Sequence, residues 1–201
     1  MRDYSHIDRY LTQLIADIYP QPEDAGHISL AQMVIDRWMS GLTDCHSVLD
    51  VGAGQGFCQS MFEKWGVKYE GIALGEDVIK AKEAKKNIHK MDFNFLDYAD
   101  NTFDLIFSRH SLEHSFSPLI SMMEWHRVAR NWLGLVVPAP EHYTHAGRNH
   151  YYVFNRPQID NLLEQSGWRV IWEHTEKTAG GIPMEYQLFC EKLKRPVYDA
   201  T

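Results

Sequence analysis

The chain has 201 residues, 44% of them hydrophobic and 23% charged, which suits one ordinary domain with a buried core, and its formal charge of −7 argues against a surface built to condense on nucleic-acid phosphates. Cys45, Cys58 and Cys190 are odd in number and form no CxxC, so neither a disulfide framework nor a cysteine zinc site is expected. No stretch reaches the length of a membrane span, and the start, MRDYSHIDRY, lacks a signal peptide's apolar segment, so the expected location is the cytoplasm with no membrane partner.

Residues 1–46 read as a helical cap of two helices joined by YPQPEDAG at 19–26, preceding a domain at 47–201. Ser29 with Gln32 has the S-x-x-Q spacing of a capping box, Ile28 and Met33 can staple across it, and Gly41 can end the second helix. SVLDVGAGQGF at 47–57 then reads as a buried strand, Ser47 to Val51, breaking into three glycines ahead of a helix from Phe57 to Trp65. Gly52, Gly54 and Gly56 allow positive φ and remove Cβ atoms, while the first amides of the following helix point outward as anion donors. A nucleotide-like ligand lying on bare backbone is the expectation.

VKYEGIA at 67–73 predicts a second strand, followed by a Lys-rich helix from Glu76 and a strand IHKMDF at 88–93. The run KAKEAKK at 80–86 is diluted by acids and reads as a solvated helix face. FDLIFS at 103–108, a helix from Pro118 to Arg130, and WLGLVVP at 132–138 continue the alternation. Asn155 can cap a helix reaching Gln165, with Gly167 as its stop, before closing strands WRVIWEHT at 168–175 and YQLFCEKL at 186–193. Alternation at this spacing predicts an α/β, doubly wound parallel sheet with helices on both faces.

Two nucleotide chemistries compete for the glycines. A dinucleotide fingerprint needs G-x-G-x-x-G, whereas here the run is GAGQG with Phe57 at the third glycine's place. VLDVGAGQG instead resembles the first motif of the class I S-adenosylmethionine-dependent methyltransferases, of the type 11-like kind. MDFNFLDYADNTFDLIFSRHSLEH at 91–114 and THAGRNHYYVFNRPQIDNLLEQSG at 144–167 resemble later segments of the same family, so the likeness spans about 45–193.

The resemblance implies a mostly parallel seven-stranded sheet with its last strand antiparallel, S-adenosylmethionine as cofactor, and methyl transfer. It places Gly52, Ala53, Gly54 and Gln55 in the cofactor turn, Asp50 toward the cofactor's amino group, Asp92 on the adenine amino group, and the Phe93 amide on a ring nitrogen. Ala73 stands where the family usually carries an acid for the ribose hydroxyls, and Leu74 and Glu76 follow it, Glu76 being placed to reach back. Ser108 and Arg109 end the fourth strand at the ligand-binding edge. Asp50 capping a loop amide, Asp92 serving a turn, and Arg109 in a surface ion pair are the bland alternatives.

EHYTHAGRNH at 141–150 gathers Glu141, His142, His145 and His150 in a spacing that fits no metal signature. It reads as a substrate-shaping lid over 141–152, ordered on substrate binding, and no metal is expected. Alternate aromatics of YYVF at 151–154 are expected in the core, the others on the pocket wall. His110 and His114 lie four apart. His114, in the family-like LEH, reads as structural, while His110 or His150 is the candidate base, because imidazole titrates near neutral pH. The expected acceptor is an oxygen or nitrogen of a small molecule. A non-catalytic methyltransferase-like module, or a macromolecule methyltransferase with a basic groove, are the alternatives.

Overall fold

The computed structural model describes residues 5–15, 24–142 and 150–194. Seven strands form one sheet in the order β3-β2-β1-β4-β5-β7-β6. They are β1 (Ser47–Val51), β2 (Lys68–Ala73), β3 (Ile88–Lys90), β4 (Phe103–Arg109), β5 (Ala129–Pro138), β6 (Trp168–Lys177) and β7 (Pro183–Lys192). The first five pair in parallel, and β7 runs antiparallel between β5 and β6. The helices are α1 (Ser5–Ile15), α2 (Ala25–Met39), α3 (Gln59–Glu63), α4 (Glu76–Glu83), α5 (Pro118–Val128) and α6 (Arg156–Gln165). The predicted doubly wound sheet with a reversed last strand is therefore present.

The two-residue period of β1 sorts its side chains between two cores. Leu49 and Val51 pack with Ile106, Leu133 and Leu135, beneath Met122 and Trp125 of α5 and Ile159 and Leu163 of α6. Val48 packs on the other face with Phe107 and Val136, against α2, Met61 and Phe62 of α3, and Val78 and Ala81 of α4. The second helix shares this core. Trp38 sits edge-on to Phe107 and Trp172, and a Cβ built at Gly134 would lie 2.4 Å from Trp38 Cζ3, so β5 carries glycine there to admit the indole.

Several predicted boundaries move. Asp24, not Ser29, caps α2: its carboxylate accepts the His27 amide at 2.8 Å, and Gln32 instead donates to Asp36 one turn on. Met33 is exposed, so the Ile28 staple does not form. Hydrogen bonding inside the glycine turn delays α3 to Gln59, and the Asx turn at Asp92 ends β3 at Lys90. Ala129 opens β5 by pairing with Phe103, which stops α5 at Val128. Asn155 does cap α6, in a full capping box with Gln158. No helix among the described residues is long and apolar enough to cross a membrane.

Candidate active site

The chain runs from β1 out to β3 and returns through β4, so the crevice outside the carboxyl ends of β1 and β4 is the topological switch point where open α/β sheets take ligands. GAGQG leaves β1 at that edge. Gly52, Gly54 and Gly56 have φ of 76°, 53° and 77°, the left-handed backbone expected of them. A Cβ at Gly52 would fall 2.2 Å from Ser111 Oγ, so that glycine answers to the protein's own packing. At Gly54 the nearest atom would be Asp77 Oδ2 at 3.7 Å, which leaves the turn open to a ligand.

Asp77, which the sequence reading passed over, is buried on the first turn of α4 and accepts from Gln55 Nε2 at 3.0 Å. Glu76 beside it is exposed, and Ala73 is buried at the end of β2. The acid that meets the turn is thus the second of the pair. The adjacent acids of GED, opening a helix just after a strand end, were the available signal.

Asp50 lies beneath the turn, 3% exposed, and accepts the Tyr69 hydroxyl at 2.7 Å. Burial pushes its carboxyl up to about 7, against the opposing pull of the Tyr69 and Cys58 donors and the Arg109 charge. Among the described residues it caps no loop amide. Asp92 uses Oδ1 to accept the Asn94 amide at 2.9 Å and the Asn94 side chain at 2.6 Å, the turn role weighed above, while Oδ2 makes no hydrogen bond among the described residues. Phe93 presents its carbonyl to Trp125 Nε1 at 3.0 Å and its ring edge-on to the same indole. Its amide has no acceptor among the described residues.

At the end of β4, Ser108 is fully buried with its hydroxyl unpaired. Arg109 forms a buried ion pair, not a surface one, donating Nη2 to Glu185 Oε2 at 3.0 Å from across β5 on β7. His110 follows at φ 51° and its Nε2 bonds the same Glu185 oxygen at 2.9 Å, while Gln187 donates to the other. These donors overcome desolvation and hold Glu185 down at about 2, whereas burial lowers the His110 pKa and favours the neutral imidazole. The His27 ring of α2 lies 5.6 Å from that of His110, and Arg37 of α2 reaches Gln187 Oε1 at 3.0 Å. α2 thereby packs beside the end of β4 and β7 at His110 and Gln187.

His110 Nδ1 lies 3.8 Å from Glu113 Oε1. Glu113 is 0% exposed, neither carboxylate oxygen has a hydrogen-bond partner among the described residues, and burial pushes its pKa up to about 8. On its far side stand His114 and His150, ring centroids 4.5 Å apart and edge to face. The two candidate bases, remote in sequence, thus flank one buried carboxyl. Residues 143–149 of the predicted lid, His145 and Gly147 among them, lie outside the described residues. Tyr151 and Tyr152, at the lid's far end, both donate their amides to the Glu113 carbonyl, at 2.9 and 3.2 Å. In YYVF, Phe154 is buried and the two tyrosines are half exposed.

Two hollows adjoin these elements very differently. One of about 780 Å³, lined by Arg127, Arg130, Trp132 and Lys192 among others, lies at the amino ends of β4 and β5, away from the switch point. The other, about 610 Å³, lies between α2 and α3 and is lined by Ala25, Ile28, Ser29, Gln32, Met33 and Met61. It adjoins the helix that the glycine turn launches.

A glycine turn leaving β1 at the switch point of a 3-2-1-4-5-7-6 sheet defines a protein that binds a nucleoside-bearing ligand at its carboxyl edge. Residues 49–132 match the family model for a methyltransferase domain. That match spans β1 into β5, with the glycine turn and the ends of β3 and β4, and supports an enzyme of methyl transfer that uses S-adenosylmethionine. Solved structures share its fold. A SAM-dependent methyltransferase from Aquifex aeolicus is 23% identical, with a TM-score of 0.68 over 96% of this chain and 100% of that one. One from Archaeoglobus fulgidus is 18% identical, with a TM-score of 0.66 over 82% and 94%. The [4+2]-cyclase SpnF is 15% identical, with a TM-score of 0.70 over 94% and 93%, so the fold by itself does not specify the reaction. Among curated protein sequences, none matches this chain.

Proposed function

We propose that the enzyme methylates an oxygen or nitrogen of a small, largely apolar molecule. The observation that carries this reading is the hollow between α2 and α3, whose lining contains neither lysine nor arginine. A macromolecular acceptor bearing phosphates would call for a basic groove there.

In this reading the turn of Gly52, Ala53, Gly54 and Gln55, open at Gly54, receives the cofactor's amino acid and ribose portions, with Asp50 beneath it opposite the ammonium. Leu74, Glu76 and Asp77 border the ribose in place of the acid that Ala73 lacks. Asp92 Oδ2 and the Phe93 amide face the adenine edge, matching a donor and an acceptor respectively. Ser108 and Arg109 close the floor of the crevice. S-adenosylmethionine bound there supplies an electrophilic methyl on a cationic sulfur. The protein aligns the acceptor in line with it, excludes water with α2, and receives the acceptor's proton. His110 is the base, its Nε2 committed to Glu185 and its ring held neutral.

Two substitutions separate binding from chemistry. Asp92→Ala weakens cofactor binding by about 1–3 kcal/mol, the range for a lost charge-assisted hydrogen bond, in equilibrium titration. Affinity equal to wild type removes Asp92 from the adenine site. His110→Asn, a side chain that tolerates left-handed backbone, slows turnover about 10²-fold at unchanged cofactor affinity. Undiminished turnover in that variant rules out His110 as the base. The acceptor class is tested by incubating the enzyme with methyl-labelled cofactor and either fractionated metabolites or total RNA and protein. Label confined to macromolecules would reject the small-molecule reading.

A further inference from the structure

Glu113, His114 and His150 each offer one ligand atom, and the three atoms lie within 4.8 Å of one another. Glu113 is wholly buried, and neither of its oxygens makes a hydrogen bond among the described residues. Leaving a carboxylate so costs several kcal/mol unless a cation or a donor meets it. The Nδ1 atom of His150 is likewise buried without a partner. Two residues with buried, unpartnered polar atoms thus belong to one cluster, contributed by segments about 36 residues apart in sequence, a separation short enough for loop closure to cost little. The backbone ties those segments together, because the Tyr151 and Tyr152 amides both bond the Glu113 carbonyl.

We propose that Glu113, His114 and His150 bind one divalent ion of the zinc class. Two imidazoles and a carboxylate are borderline donors that suit zinc and its first-row neighbours, whereas magnesium and calcium favour all-oxygen shells. Three protein ligands leave a coordination position for water or a substrate oxygen, the arrangement of an open site rather than a closed structural one. Ligand atoms about 2.0–2.2 Å from the ion must draw closer than they now stand. The 150–152 segment that carries His150 is tied beside Glu113 by the Tyr151 and Tyr152 amides and by the Tyr152 hydroxyl on the Phe116 carbonyl. The ion sits beside His110, whose Nδ1 is 3.8 Å from Glu113 Oε1, and so faces the acceptor side of the crevice. The sequence spacing hid this site, since the EHYTHAGRNH segment supplies a single member of the triad and the LEH turn supplies the other two.

The full chain, stripped of metal by dialysis, is titrated with zinc by calorimetry and with cobalt(II) by visible absorption, neither of which depends on methyl transfer. The expected result is one ion per chain with micromolar or tighter affinity, and cobalt bands of the intensity that four- or five-coordinate nitrogen and oxygen sites give. Glu113→Gln and His150→Ala each weaken binding at least about tenfold, while His174→Ala, on an exposed strand, leaves it unchanged. Should Glu113→Gln not fold, His150→Ala, with its ring only partly buried, decides the matter. Uptake below one ion per chain, or a folded His150→Ala protein that binds zinc like wild type, overturns the site.

Discussion

Glu185→Ala should lower the unfolding free energy by about 3–5 kcal/mol, the range for removing one partner of a buried charge pair. Glu185 is 2% exposed and accepts from both Arg109 and His110, so its loss strands a guanidinium and an imidazole inside the sheet edge. The carboxyl is held near 2 in the folded protein, below its ordinary value, so its contribution is present above about pH 4.5 and disappears as pH falls from there through 2. Urea denaturation at pH 7 and at pH 3 measures both effects. The variant's deficit should shrink at the lower pH, and a loss under 1 kcal/mol at pH 7 would mean that water, not Glu185, satisfies Arg109. Glu185→Gln keeps an acceptor for Arg109 and should recover part of the deficit.

Asp50→Asn should weaken S-adenosylmethionine binding by about 3 kcal/mol, more than a hundredfold, while leaving the free protein at least as stable as wild type at pH 8. Both halves follow from burial. With its folded pKa raised to about 7, Asp50 makes an unfavourable contribution to folding that is absent below about pH 4, grows as pH rises through 7, and is then complete. A neutral side chain of the same shape removes that contribution and still accepts from Tyr69. It also removes the charge that the cofactor's ammonium would compensate, which is why affinity falls. The wild-type enzyme should accordingly bind the cofactor more tightly at pH 8 than at pH 6, and the Asn variant should show no such trend. Titration calorimetry at the two pH values reads the affinity. A variant that loses stability but keeps affinity would assign Asp50 to the fold alone.

Much of the architecture was legible because it is written in local periodicity. The apolar, β-branched run Ser47 to Val51 reads as the buried strand it forms, Asn155 announces α6, and the glycines at 52, 54 and 56 demand the backbone they adopt. What the sequence concealed depends on distance in space. Ser29 and Gln32 have capping-box spacing, but Asp24, four residues before Ile28, takes the helix end. Asp77, passed over beside Glu76, is the acid whose carboxylate accepts from Gln55 Nε2 once the turn lies against α4. Arg109 and Glu185 are 76 residues apart, brought together only because β7 enters the sheet beside β5 and so lies two strands from β4. Glu113 carried no signal of its own, since an acid in a short turn is ordinarily solvated. Its burial comes from the Tyr151–Tyr152 segment docking on its carbonyl and from the packing of Leu112 beside it.

In the proposed reading the glycine turn, Asp50 and the Asp92–Phe93 edge together form one S-adenosylmethionine site. Equilibrium titration of the wild-type chain with S-adenosylmethionine, S-adenosylhomocysteine and a nicotinamide dinucleotide tests it most directly. Saturable one-site binding of the first, its displacement by the second, and little affinity for the third are expected. Preference for the dinucleotide, or no saturable binding of S-adenosylmethionine by folded protein, would contradict it.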